Sequence, residues 1–154
     1  MKVIVFRHGE AHPFASSDAQ RELTDKGRQH SFLVAQKAFD KGLVKIDKVL
    51  VSPYVRAQQT WDAIADIFSS TQVETCDDIT PYGDAEMIVQ YVSAMAEAEQ
   101  LETVLLVSHL PVVSYMTAEF VKGISPPIFP TSGMVCLEFD IQRQSGDILW
   151  KLYP

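Results

Sequence analysis

Two arginines and two histidines follow apolar segments that lie far apart in the chain. Arg7 and His8 directly follow the run VIVF, Arg56 lies shortly after KVLVS, and His109 follows TVLLVS. Guanidinium groups bind phosphate through a planar fork, and two of them can neutralise a dianion. A neutral imidazole is a nucleophile, and a second imidazole can donate a hydrogen bond as charge shifts in the transition state. The set suits phosphoryl transfer through a phosphohistidine intermediate, without a metal ion.

The apolar segments alternate with helical patterns, which predicts the elements that must position these side chains. Buried strands are expected at 2–6, 48–52 and 103–109, with a short strand near 73–76. Helices are expected at 25–41, from residue 53 to about 68, at 84–97 and from residue 111, and a hairpin closes the chain. This pattern predicts a three-layer α/β/α fold with a mostly parallel central sheet and an antiparallel C-terminal edge hairpin.

Local signals set the expected helix ends and buried faces. Thr24 and Asp84 are expected N-caps, and Ser52 is expected to cap a helix whose first residue is Pro53. Gly42 is expected to end the first long helix. The residues predicted to face inward on the four helices are Phe32, Ala35, Phe39, Ala57, Trp61, Ile64, Ala65, Phe68, Met87, Ile88, Tyr91, Val92, Met95, Val113, Met116, Thr117 and Phe120.

The carboxyl ends of parallel strands form the ligand-binding edge of an open α/β sheet, and all four candidate side chains are predicted to lie there. Taken singly, Arg56 is typical of a solvated side chain in a first helical turn, His109 of a turn histidine, and Gly9 of a tight turn. Their coincidence at one edge favours a shared anion, because buried charge is unfavourable without a partner.

Bulk properties restrict the function classes. With 154 residues, 47% of them apolar, the chain is long enough for one domain with a full core. Its net charge of −7 disfavours nucleic acid and anionic membranes as partners. No apolar run approaches the length of a membrane span or a secretory signal, so a cytoplasmic protein is expected. Cys76 and Cys136 are expected to be buried thiols, and the spacing of His8 and His12 does not fit a metal motif.

The motifs FRHGEA, LTDKG, SPYVRAQQT and SHLP, in this order, resemble the histidine phosphatase superfamily, the phosphoglycerate-mutase-like group, and more narrowly its SixA-type phosphohistidine phosphatases. The resemblance implies a single domain over 1–154 without a lid insertion. It also implies that His8 is the nucleophile, that Arg7, Arg56 and His109 hold the phosphoryl group, and that no metal or other cofactor is used.

Many relatives carry an acidic proton donor after the third strand. Asp84 is the nearest candidate here, although it is also a good N-cap; Glu10 and Asp78 are weaker candidates. A phosphorylated imidazole whose other nitrogen is protonated leaves as neutral imidazole, so it needs little acid catalysis, whereas an alkoxide needs a proton. A site rich in Arg and His but poor in acid therefore favours phosphohistidine over a phosphate monoester.

The expected function is dephosphorylation of a histidine-containing phosphotransfer domain of a signalling phosphorelay by a monomeric enzyme. The resemblance supplies that partner; the residues alone indicate an exposed phosphoryl group on a macromolecule. Two alternatives stay open: a phosphatase or mutase acting on small phosphate esters, and a non-catalytic phosphohistidine-binding module. The proline-rich segment 125–132 is either a stiff surface loop or part of the rim that touches the partner.

Overall fold

The computed structural model describes residues 1–70 and 72–154. Its strands and helices alternate over most of the chain, as the sequence pattern predicts. In chain order the elements are β1 (Lys2–Arg7), α1 (Asp25–Asp40), β2 (Lys45–Ile46), β3 (Lys48–Val51), α2 (Val55–Ile64), β4 (Ser69–Ser70), β5 (Val73–Thr75), α3 (Ala85–Glu99), β6 (Thr103–Ser108), α4 (Val112–Val121), β7 (Met134–Asp140) and β8 (Ser145–Leu152).

The central sheet has six strands in the order β5-β3-β6-β1-β7-β8. The strands β5, β3, β6 and β1 pair in parallel, whereas β7 is antiparallel to both β1 and β8. The mostly parallel sheet and its antiparallel C-terminal hairpin are therefore confirmed. A separate short parallel pair joins β2 and β4.

Helices cover both faces of this sheet and create two hydrophobic cores. Alternate residues of β1 supply both, since Ile4 and Phe6 pack with α1 and α2, whereas Val3 and Val5 pack with α3 and α4. All four side chains are fully buried, and burial of each such side chain contributes roughly 1.5–3 kcal/mol. The strand that carries the Arg7 side chain is thus anchored from both faces.

The predicted buried faces are correct for α4, correct for α2 except that Ala65 is only partly buried, and partly wrong for α1 and α3. On α1, Phe32 and Phe39 are exposed because small residues line the face that packs closely on the sheet: Gly27, Ser31, Val34, Ala35 and Ala38. On α3, Ile88, Val92 and Met95 are buried as predicted, but Met87 and Tyr91 are exposed at the edge of the helix. None of the helices in the described part of the chain is long and apolar enough to cross a membrane.

The start of α2 also differs from the prediction. The helix begins at Val55, and the extended residue Tyr54 occupies the N-cap position, so Pro53 is not its first residue. Ser52 does not cap it either, although its hydroxyl accepts a hydrogen bond from the Tyr54 amide at 3.3 Å. The Ser52 hydroxyl is within 2.7 Å of the His109 ring, and this contact holds it at the end of β3.

Candidate active site

The register of the parallel strands brings three chain segments to one level at the carboxyl edge of the sheet. Arg7, the last residue of β1, is paired with Ser108, the last residue of β6. The His8 amide then donates to the Ser108 carbonyl at 2.9 Å, and the Ser52 amide donates to the Val107 carbonyl at 3.0 Å. The residues that follow these strands therefore meet at one place, as the sequence predicts.

The backbone around Gly9 packs too closely for a side chain. A Cβ atom at Gly9 would lie 2.5 Å from the Gly27 carbonyl oxygen in the first turn of α1. A glycine is therefore required at position 9 because the segment after β1 packs closely on α1, and not because the chain makes a tight turn there. Its amide donates to the Thr60 hydroxyl at 3.0 Å, and that hydroxyl donates to the Arg56 carbonyl at 2.7 Å.

His8 is held as a neutral imidazole with one defined tautomer. Its Nε2 lies 3.2 Å from Arg56 Nε, which can only donate, so Nε2 must be the unprotonated nitrogen. Its Nδ1–H then donates to the Gly9 carbonyl at 2.7 Å. Burial, with a smaller effect of the neighbouring arginines, lowers the pKa of His8 to about 3. At neutral pH Nε2 therefore carries a lone pair, which in this structure accepts the hydrogen bond from Arg56 Nε.

Arg7 and Arg56 are far apart in the sequence, but their guanidinium groups are close enough in the structure to interact electrostatically. Arg7 donates from Nη1 to the Phe129 carbonyl at 2.8 Å, whereas its Nε is buried without a hydrogen-bond partner. Burial and then the charge of Arg56 lower the pKa of Arg7. Since like charges repel, an anion between these guanidinium groups would stabilise both.

Arg56 is already paired through the far side of its guanidinium group. Nη1 donates to the Asp18 carbonyl at 2.7 Å, and Nη2 donates to the Asp18 carboxylate at 3.1 Å. Arg21 donates to the other oxygen of the same carboxylate at 3.1 Å, and the two arginines lower the pKa of Asp18. The Arg56 guanidinium is thus held in a fixed plane with its Nε directed at His8.

His109 completes the cluster, with its ring centroid 5.0 Å from that of His8. Tyr54 packs edge-on against the His109 ring at 5.0 Å, and the Arg56 guanidinium lies 5.1 Å from the Tyr54 ring centre. Burial is the main cause that lowers the pKa of His109 to about 2, and electrostatic repulsion from His8, when that ring is protonated, and from Arg56 lowers it further. His109 is therefore neutral at neutral pH.

Among the described residues, two buried side-chain nitrogen atoms have no hydrogen-bond partner, Arg7 Nε and His109 Nδ1. Both belong to the predicted set of four. Buried polar atoms are almost always paired, and unpaired ones in an otherwise well-bonded cluster indicate where a ligand atom would bind. The structure thus brings Arg7, His8, Arg56 and His109 together in one cluster. No group of three or more His, Cys, Asp or Glu in the described part of the chain could hold a metal ion.

The proline-rich loop between α4 and β7 forms backbone hydrogen bonds with Arg7 and His8. The Ser132 amide donates to the His8 carbonyl at 3.0 Å, and the Arg7 amide donates to the Gly133 carbonyl at 2.9 Å. Ser132 has a φ of 59° and is fully buried, and its hydroxyl lies 2.8 Å from that of Ser31. Residues 125–132 are therefore more than a surface loop, because their backbone binds the His8 carbonyl and the Arg7 side chain.

The acidic candidates have other partners. Asp84 accepts from the Met87 amide at 3.1 Å and caps α3, as its cap prediction states. The Glu10 carboxylate accepts from the Thr24 hydroxyl at 2.7 Å, and Thr24 in turn caps α1. Asp78 lies in the short turn Asp77–Ile79 after β5. A proton-donor role for Asp84 stays a prediction.

Sequence reasoning missed the residues that orient the four. Asp18 begins a three-residue 3₁₀ helix that Arg21 follows, and no periodic apolar pattern predicts this turn. Thr60 is a polar residue among the buried residues of α2, where the apolar pattern predicts only its neighbours. Tyr54 was visible in SPYVRAQQT but had no assigned role. Their contributions come from hydrogen bonds across the chain, and the one available signal was their proximity in sequence to the predicted site residues.

Comparisons with known proteins agree with this geometry. A model of the histidine phosphatase superfamily, branch 1, matches residues 3–88. The chain is 37% identical to the phosphohistidine phosphatase SixA of Escherichia coli K12 over all of this chain and 94% of that protein. It is also 37% identical to a SixA homolog of Haemophilus influenzae, over 91% of this chain and 89% of that protein.

Solved structures show the same relationship. The structure of the protein histidine phosphatase SixA complexed with tungstate superposes with a TM-score of 0.94 and 36% identity, covering all of this chain and 97% of the other. A phosphoserine phosphatase from Entamoeba histolytica, at 18% identity and a TM-score of 0.73, shows the shared fold alone. On these matches, the chain belongs to the histidine phosphatase superfamily.

Proposed function

We propose that this protein is a phosphohistidine phosphatase that acts through a covalent phospho-His8 intermediate. The observation that carries the proposal is the defined tautomer of His8: Arg56 Nε faces Nε2 at 3.2 Å, and the Gly9 carbonyl holds the Nδ1 proton at 2.7 Å. The similarity to SixA supports the substrate class, because that relative is named a phosphohistidine phosphatase.

In the first step, the Arg56 Nε–H moves from His8 Nε2 to a phosphoryl oxygen of the bound substrate. The freed Nε2 lone pair attacks phosphorus and forms the N–P bond. The bond from phosphorus to the substrate imidazole breaks, and its electron pair leaves with that ring. If the other nitrogen of the substrate ring carries a proton, the leaving group is neutral imidazole and requires no further acid. Arg7 and Arg56 bind the phosphoryl oxygens, and His109 donates a hydrogen bond to them in the transition state.

In the second step, water attacks phosphorus and the bond to His8 Nε2 breaks. The Gly9 carbonyl keeps the proton on Nδ1, so the phosphorylated ring is cationic and leaves as neutral imidazole. The same hydrogen bond therefore prepares His8 as a nucleophile in the first step and as a leaving group in the second. Inorganic phosphate is the product, and the starting tautomer is restored.

The surroundings of the site suit a phosphoryl group on a protein. Three large side chains near the carboxyl edge are almost fully exposed: Phe14 at 89%, Tyr82 at 88% and Ile128 at 86%. Phe14 precedes the Asp18 segment, and Ile128 precedes Phe129, whose carbonyl binds Arg7. These exposed side chains are candidates for contact with a protein partner. We propose a histidine-containing phosphotransfer domain as the partner, with the enzyme acting as a monomer.

The test is release of phosphate from a phosphorylated histidine-containing phosphotransfer domain. Wild-type protein should release inorganic phosphate, and His8→Gln should not, because an amide cannot form the intermediate. A panel of sugar phosphates and phosphoglycerates serves as the comparison. Faster turnover on that panel would favour a small-ester phosphatase, and binding of the phosphoprotein without release of phosphate would favour a binding module. Either result would overturn the proposal.

A further inference from the structure

The hydroxyl group of Ser52 connects the end of β3 to the ring of His109. Ser52 is fully buried, its Oγ lies 2.7 Å from His109 Nε2, and it accepts from the Tyr54 amide at 3.3 Å. The Ser52 carbonyl is also bound, by the Gln58 side-chain amide at 2.9 Å. The carbonyl and the hydroxyl of Ser52 are therefore both held by hydrogen bonds, and the His109 ring is the neighbour to which the hydroxyl proton can be donated.

This arrangement favours one tautomer of His109. A serine hydroxyl has one proton to donate and two lone pairs that accept. Since the Tyr54 amide already donates to Ser52 Oγ, donation of the hydroxyl proton to His109 Nε2 satisfies all three groups. If Nε2 carried the proton instead, Ser52 would accept twice and its own proton would have no partner among the described contacts. The first arrangement leaves the ring proton on Nδ1.

The position of that proton decides how His109 acts on an anion. His109 Nδ1 is buried and unpartnered, and the ring faces His8 at a centroid distance of 5.0 Å. A neutral imidazole carries one N–H, so a protonated Nδ1 can donate to a phosphoryl oxygen, whereas an unprotonated Nδ1 would direct a lone pair at it. Burial lowers the pKa of His109 to about 2, so the ring does not take up a second proton at neutral pH and only one of its two nitrogens is protonated.

We propose that Ser52 is a positioning residue that holds His109 as the Nδ1–H tautomer, so that Nδ1 donates to the transferring phosphoryl group. The role of the donated bond rests on the proposed function, but the tautomer itself does not. Ser52 acts through His109, in the way that the partner of a catalytic imidazole fixes its proton in other enzymes.

The direct test is long-range ¹H–¹⁵N correlation spectroscopy of the uniformly labelled protein. The chain has only four histidines, and a His109→Asn variant identifies the signals of His109 by their loss. The expected wild-type result is a protonated Nδ1 and an unprotonated Nε2. In Ser52→Ala the Nε2–H form should appear, and Ser52→Thr, which keeps the hydroxyl, should restore the wild-type pattern. An Nε2–H signal in the wild type, or an unchanged tautomer in Ser52→Ala, would overturn the proposal.

Kinetics supply the second readout. Ser52→Ala should lower kcat for phosphate release by roughly tenfold to hundredfold, with Ser52→Thr recovering most of the loss, since one donor to an oxyanion is worth about that much or more. Ser93→Ala is the matched control, because Ser93 is a buried serine that contacts Gln144 at the opposite end of the sheet. An unchanged kcat in Ser52→Ala would contradict the positioning role. If no phosphohistidine protein is hydrolysed even by the wild type, the proposed function fails, while the spectra still decide the tautomer.

Discussion

Asp84 provides the sharpest test of the reasoning about the leaving group. Its carboxylate accepts from the Met87 amide at 3.1 Å at the N-terminus of α3. Asn and Asp are equally good N-caps, whereas Ala costs about 1 kcal/mol at such a position. Asp84→Asn should therefore keep the stability of the wild type, and Asp84→Ala should lose about 1 kcal/mol of the free energy of unfolding. Asp84→Asn keeps the N-cap but removes the carboxyl group, so it tests acid catalysis without a loss of stability.

The catalytic prediction follows from the chemistry of imidazole as a leaving group. Because the substrate ring leaves neutral, Asp84→Asn should hydrolyse phosphohistidine within about threefold of the wild-type rate, whereas loss of a true general acid costs roughly 10²–10⁴-fold. The assay is release of inorganic phosphate from a phosphorylated phosphotransfer domain under single-turnover conditions, with urea unfolding to confirm stability. A hundredfold loss in Asp84→Asn at wild-type stability would refute the reasoning and assign Asp84 as the proton donor.

Three further predictions concern the bonds around His8. Arg56→Lys keeps the charge but loses at least one of its charge-assisted hydrogen bonds to Asp18 and His8, so kcat/KM for phosphate release should fall about a hundredfold; a value within threefold of wild type would contradict this role. Thr60→Val leaves the Gly9 amide unpaired and should lower the free energy of unfolding in urea by roughly 1–3 kcal/mol, whereas an unchanged midpoint would contradict it. Burial lowers the pKa of His8 and His109, so the unfolded chain binds more protons and stability should fall as pH drops below about 6.5, by at most about 1.4 kcal/mol per pH unit for each ring. Urea titrations between pH 7.5 and 5 in phosphate-free buffer measure that slope, and a His8→Gln variant with the wild-type slope would contradict it.

The fold and the proximity of the four candidate site residues could be predicted because the signals are local. A continuous apolar run such as VIVF indicates a strand covered on both faces, and parallel strands end at the same edge. Arg7 is the last residue of such a strand, His8 and His109 directly follow such strands, and Arg56 lies in the first turn of a helix. The alternating pattern indicates that these strands are parallel, whereas their order in the sheet comes from the structure.

The errors arise where the result depends on contacts that cross the chain. Phe32 and Phe39 have helical spacing, but α1 buries small residues because it lies close to the sheet, where Gly9 meets Gly27. Ser52 has the residue type of a helix cap, yet a histidine 57 residues away binds its hydroxyl. Asp18 lies outside every strong periodic segment, so nothing local indicates its pairing with Arg56.

The most direct measurement of the central claim is detection of the phosphoryl group on His8 itself. The wild-type protein is mixed with a ³²P-labelled phosphotransfer domain, quenched in alkali within milliseconds to seconds, and digested for mass spectrometry. We expect transient, acid-labile and alkali-stable label on the peptide that contains His8, followed by its appearance as inorganic phosphate, and no label on the enzyme in His8→Gln. Release of phosphate at the wild-type rate by His8→Gln, or label on any other residue that precedes phosphate release, would contradict the account.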